Sequence, residues 1–310
     1  HMYVCIEWAQ WRQAGWHRRS LNGSCPCKKQ SGTRAFLYGP APVKPYFSIF
    51  QKGEPYHERP GYPLQDLPPG RGSIPKVTTI GEDLYVTSDA LLDLDANAVE
   101  SIGSSLIVKG SVIQKESATT EAIVFSALKR VGNELTIQYF PKLQGIYLPA
   151  LESVAGTASF TDMALIGSIA MTELYSAGGL TIKNCKEIST IELPGLTSCG
   201  EFSVDANKVN KFNISALRDA FGNMTLSNLL IEELDLSRIN FNGNTLTLQC
   251  NRLNKIVGSE TFNGNLLLLP KNCRLTEFTL EGILNMQGNF ECKDYFYVKR
   301  FIMPFVNVAG

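Results

Sequence analysis

Eight cysteines, at 5, 25, 27, 185, 199, 250, 273 and 292, and three histidines, at 1, 17 and 57, are the side chains from which a nucleophilic or metal centre would be built. A cysteine nucleophile needs a base beside it, and a zinc site needs ligands paired at short spacing. Cys25-Pro-Cys27 has the spacing of neither a zinc knuckle nor a dithiol redox motif. No histidine follows His57, so most of the chain has none to serve as base or triad member. There is no G-x-S-x-G, phosphate loop, H-E-x-x-H or calcium loop. Glu192 and Asp235 hold comparable outward positions with Asn213 between them. No third carboxylate or base recurs with them, and a solvated face explains them more simply than a glycosidase pair. These residues imply no catalytic group, metal or cofactor.

The elements around the cysteines come from the pattern after Ile74. Ten of the 15 prolines lie in residues 1–75, whereas Leu, Ile, Val, Thr, Ser and Asn dominate beyond. In that second territory a pair of apolar residues two apart recurs, at Leu84/Val86, Leu106/Val108, Leu135/Ile137, Ala158/Phe160, Leu180/Ile182 and Phe202/Val204. It continues at Met224/Leu226, Leu246/Leu248, Leu267/Leu269 and Phe290/Cys292. The steps are close to 22 residues, with one longer step at IQKESATTEA that reads as a loop pushed out of one turn. After Ile182 further apolar residues follow at Ile188, Ile191, Leu193, Leu196 and Cys199, and other units repeat that spacing.

A period of this size marks a solenoid. Residues two apart point to one side of a strand, and three-apart steps turn corners. No unit can bury its apolar set alone, so stacked turns cover one another. A doubly wound α/β fold would need helices for which these units have no room. The expected fold is mostly β: a right-handed leucine-rich-repeat or β-helix solenoid of about ten 22-residue turns. Residues 74–310 form the solenoid, and residues 1–73 an N-terminal cap and wrapping segment. On this grid Cys185, Cys199 and Cys292 fall inside as core thiols. Cys185 shares a slot with Asn207 and Asn251, and Cys250 and Cys273, one turn apart, are either stacked thiols or a disulfide.

Between the two residues of each pair lies one that points outward. In order these are Tyr85, Ile107, Thr136, Ser159, Thr181, Ser203, Thr225, Thr247, Leu268 and Glu291. Six successive turns therefore show Ser or Thr. Such residues suit a half-exposed strand and can pair across it. They also make a flat hydroxyl face on which a ligand could lie. Flanking residues such as Lys183, Glu201 and Asp205 break the regularity that ice would require.

The segment EWAQWRQAGWHRR (7–19) fits a short amphipathic helix that caps the solenoid end, which would otherwise expose core and strand edges. The rival reading makes Trp8 and Trp11 part of an aromatic ligand platform. Residues 1–73 carry ten Lys or Arg against four Asp or Glu, and the remainder carries 19 against 25. That modest imbalance does not call for nucleic acid. No apolar run is long enough for a membrane helix. His1-Met2 reads as an expression remnant, so a missing leader does not decide location. MPFVNVAG (303–310) echoes LPALESVAG (148–156), so the chain stops within a repeat and end-to-end self-association is open to it.

The unit VGNELTIQYFPKLQGIYLPALESV (131–154) resembles a leucine-rich repeat of the form L-x-I-x-x-N/C-x-x-L-x-x-I-x-L-P-x-L-x-x-V. ISTIELPGLTSCGEFSVDANKV (188–209) and LNKIVGSETFNGN (253–265) are similar to BspA-type repeats of bacterial surface proteins. The I-G-x-x-L-x-I core also resembles the L domains of growth-factor and insulin receptors. Most units carry L-x-I or F-x-V where the BspA pattern has Ala-Phe. The resemblance implies a secreted or lipid-anchored surface module that binds a protein or a glycan, with any membrane attachment lying outside this chain. A β-helix polysaccharide lyase or hydrolase is the alternative.

Overall fold

A computed structural model describes residues 2–8, 45–51, 71–73, 78–87, 93–110, 120–269, 274–283, 285–293, 297–303 and 307–308. The described residues are strands and turns with no helix. Within the solenoid the strands pair in parallel, each residue facing its equivalent one turn away. The principal sheet has 14 strands arranged as ten rungs, which makes nine intervals. At about 4.8 Å per interval its length is roughly 43 Å.

One coil shows how the sequence builds the rest. Ser176–Lys183 is a principal-sheet strand, and Thr190–Glu192 is a strand of the second face. Ser198–Asp205 then returns to the principal sheet one rung on. Leu180, Ile182, Ile188, Ile191, Leu193, Leu196 and Cys199 are all buried, as their spacing predicts. So are Leu143, Leu148, Leu151 and Val154 in an earlier coil. Together they form a single continuous core. The second face is laid down in three sections, ending at Gly145–Tyr147, Lys211–Asn213 and Arg300–Ile302. Its first section already includes Arg71–Ser73, paired with Asp93–Asp95.

Between the two halves of a principal strand the chain turns tightly against the rung below. Adding a Cβ at Gly132 would bring it 2.1 Å from the Gly103 carbonyl oxygen, and at Gly200 it would stand 1.9 Å from that of Gly178. Glycine is therefore required there by closeness, with no unusual dihedral involved.

Three sequence expectations shift. Leu266 and Leu268 face inward, and Leu267 takes the outward place opposite Thr247. The four consecutive leucines from Leu266 to Leu269 contain no alternation to fix register. Asn265, paired with Thr245, fixes it instead. The equivalents of Cys185 are Ala206 and Cys250, not Asn207 and Asn251. Where a left-handed residue such as Asn184 (φ 56°) follows the strand, the next inward residue comes one position later. In the other two coils that residue is missing, so Asn207 is exposed and Asn251 half-buried. The Asn251 Oδ1 is in fact buried without a hydrogen-bond partner. The third shift concerns the expected helix at 7–19. Glu7 and Trp8 close the strand Met2–Trp8, antiparallel to Pro45–Gln51, while Trp11 and the rest lie outside the described residues. So does most of IQKESATTEA, apart from Thr120, Glu121 and Ala122.

Candidate functional site

The outward column is continuous. Thr136, Ser159, Thr181, Ser203, Thr225 and Thr247 lie on consecutive rungs and pair one to the next. Parallel alternation explains this, since each lies between two buried neighbours such as Leu180 and Ile182. All six are half-exposed. Ile107 leads into the column, and Leu267 and Glu291 follow it.

Elsewhere in the solenoid, hydroxyls stacked this way do pair. Ser198 Oγ donates to Ser176 Oγ at 3.2 Å, and Ser101 Oγ to Thr79 Oγ1 at 3.3 Å. Ser227, whose side chain follows the column on its rung, donates to Gln249 Oε1 at 2.9 Å. None of the six column hydroxyls has a hydrogen-bond partner among the described residues. Because Ser198 and Ser176 bridge the same rung spacing, side-chain direction and not distance leaves the six without such a bond. Trp8, the other described candidate, ends its strand opposite Pro45.

A groove lies at the corner just past the strand ends. It encloses about 600 Å³, and its walls include Tyr139, Asp162, Asn184, Lys186, Asp205 and Asn228. Tyr139, Asp162, Asn184 and Asn228 adopt left-handed φ of 65°, 57°, 56° and 63°. Asn and Asp accept that conformation more readily than most residues. Their side chains link neighbouring coils. Asn184 Nδ2 donates to Asp162 Oδ1 at 3.1 Å, and Asn228 Nδ2 to Asp205 Oδ1 at 2.7 Å. The sequence signal for this groove was the run of Asx residues one step past the strands. It was masked by the one-residue shifts described above.

Cys185 forms part of the groove wall, yet its chemistry is that of a core residue. Burial pushes its thiol up to about 11, a nearby Asp162 charge acts in the same direction, and a backbone hydrogen bond from Met163 opposes both. Its Sγ donates weakly to Phe160 O at 3.6 Å. Cys250 does the same to Leu226 O at 3.4 Å, one coil below, as its equivalent position requires. Burial pushes Cys250 to about 11 and Cys199 to about 12. All three are free thiols, so Cys250 is not joined to Cys273. Such thiols carry almost no thiolate near neutral pH and make poor nucleophiles.

The carboxylates on the second face do not form one column. Glu192 faces Asn213, whose Nδ2 donates to Glu192 Oε2 at 2.9 Å. Asp235 lies beyond a break between sections of that face. Hydrogen bonds from the Ser237 side chain and backbone hold its carboxyl below the usual range, aided by Arg238 and opposed by slight burial. No group of three or more His, Cys, Asp or Glu placed to hold a metal occurs among the described residues. No described helix is long and apolar enough to cross a membrane.

The fold defines a class, a parallel β-solenoid with one long hydroxyl-bearing face. No family profile, curated protein or solved structure matches the chain.

Proposed function

We propose that this protein is a non-catalytic binding module, acting at a cell surface or after secretion, whose hydroxyl column receives a protein or a glycan. The observation that carries this reading is the set of six registered, half-exposed hydroxyls without internal partners. Single pairs such as Ser198–Ser176 and Ser227–Gln249 form elsewhere on the sheet, whereas these six hydroxyls are left to solvent or a ligand. Each such group presents a donor and two acceptor positions on a rigid sheet, so a ligand meets it without ordering cost in the protein. The likeness to surface leucine-rich repeats supports the same reading, including a lipid anchor beyond this chain.

Thr181→Val and Thr225→Val keep the branched shape and remove the hydroxyl. Combined with Ser203→Ala, they should lower affinity at least tenfold for whatever glycan or surface protein the wild type selects on an array, with Tm unchanged. Intact binding by the triple variant counts against the face. Turnover in a polyuronide activity screen would favour the lyase alternative instead.

A further inference from the structure

We infer that the corner groove is a second site, distinct from the hydroxyl face, which takes the vicinal diols of a neutral, extended oligosaccharide. Its carboxylates define what the groove can bind. An ionised carboxylate has two oxygens and about four acceptor positions and no proton to give. The Asn184 amide occupies one position on Asp162, and the Asn228 amide one on Asp205. Both acids are thereby fixed in direction and keep acceptor capacity beside a cavity of about 600 Å³. Adjacent hydroxyls on one sugar ring fit a fixed carboxylate, because both can donate to it.

Spacing supports an extended chain. Thr161, Lys183 and Asp205 face one another on three successive rungs. Asp162 and Asp205 are thus about two rungs apart, roughly 10 Å. A β-linked chain in extended form advances by about one ring per rung, so alternate rings would meet the two acids. Tyr139, at the coil before Asp162, is the aromatic member of the wall. A pocket of mixed aromatic and fixed polar groups is the usual form of a small-ligand site. Acidic sugars fit less well: a uronate would stand against Asp162 and Asp205, the groups that meet the sugar hydroxyls. Lys186 in the wall and Lys183 on the rung between the two acids only balance them, so the groove carries no positive excess.

The test uses the full chain and three neutral linear probes, cellohexaose, mannohexaose and xylohexaose, with an oligogalacturonate of equal length, by titration calorimetry. At least one neutral hexaose should bind, and the oligogalacturonate should bind at least tenfold more weakly. Asp162→Asn and Asp205→Asn retain an acceptor for the neighbouring amide and remove the charge. Each should weaken the neutral probe about tenfold, equivalent to about 1.4 kcal/mol, without lowering Tm. The Thr181→Val, Ser203→Ala, Thr225→Val variant should bind the probe as the wild type does, which separates this site from the hydroxyl face. The inference is overturned if no neutral hexaose binds, if the oligogalacturonate binds as well, or if the Asp variants keep full affinity. Loss of probe binding in the hydroxyl-face variant would also overturn it.

Discussion

Replacing Gly200 by alanine probes the stacking directly. The new Cβ would stand 1.9 Å from the Gly178 oxygen and 2.8 Å from its carbonyl carbon, where ordinary contact begins at 3.4 Å. The shortfall at the oxygen is 1.5 Å, the difference between those two distances. A backbone oxygen cannot rotate aside, so the rungs must part. Bonds between those two rungs, such as Thr197 N to Tyr175 O at 2.9 Å, would stretch. Overpacking costs about 1–3 kcal/mol, and two weakened hydrogen bonds about 1 kcal/mol each. Alanine returns about 0.4–1 kcal/mol by restricting the unfolded chain. The net loss is about 2–5 kcal/mol, or a Tm lower by about 3–7 °C at this chain length. Gly167→Ala is the control, since nothing lies within 4 Å of the position where its Cβ would sit. It should change stability by less than about 1 kcal/mol, in the stabilising direction if at all. Thermal and urea unfolding followed by circular dichroism measures both. Equal unfolding curves for the two variants would refute the close-stacking argument.

Two further outcomes concern the buried thiols. Burial raises Cys199 from 9.0 to about 12 in the folded protein, so between those values the unfolded chain releases a proton that the folded one keeps. Its contribution is intact below pH 9 and is lost as pH rises toward 12. From pH 8 to pH 11 the urea-derived stability of Cys199→Ala should therefore fall by about 2–3 kcal/mol less than that of the wild type. Equal falls would show that this thiol is not shielded. With an aromatic disulfide reagent at pH 8, Cys185, Cys199 and Cys250 should react only on unfolding, and rapid labelling of Cys185 in the native protein would contradict its place in the core.

Most of the fold was legible because the period-2 pair is a strong signal when it recurs at near-constant steps. Leu180/Ile182 and Phe202/Val204 stand 22 residues apart in the sequence, and Thr181 and Ser203 between them follow the same step. The losses came where that signal is silent. Four leucines in a row, Leu266 to Leu269, cannot show which of them face inward, and the decision rests with the neighbouring rung. A corner with or without a left-handed residue looks alike in apolar pattern, which is why Ala206 and Cys250 were hidden behind Asn207 and Asn251. The hydroxyl column was readable as a column, but its lack of partners was not, because pairing depends on side-chain direction. The groove leaves no periodic signal in the sequence because Asp162, Asn184, Asp205 and Asn228 straddle the same corner shift.

Both proposed sites depend on evenly stacked rungs, which the positions of the hydroxyl column report. Electron–electron distance measurement between nitroxide pairs tests that geometry, with Cys5, Cys25, Cys27, Cys273 and Cys292 replaced by serine. Thr136→Cys is paired in turn with Thr225→Cys, Thr247→Cys and Leu267→Cys, which lie four, five and six rungs away. Mean separations should rise in equal steps from about 19 to 24 to 29 Å, one inter-strand spacing at a time. Distances that fail to increase by one spacing per rung, or that decrease along the series, would contradict the solenoid and both sites built on it.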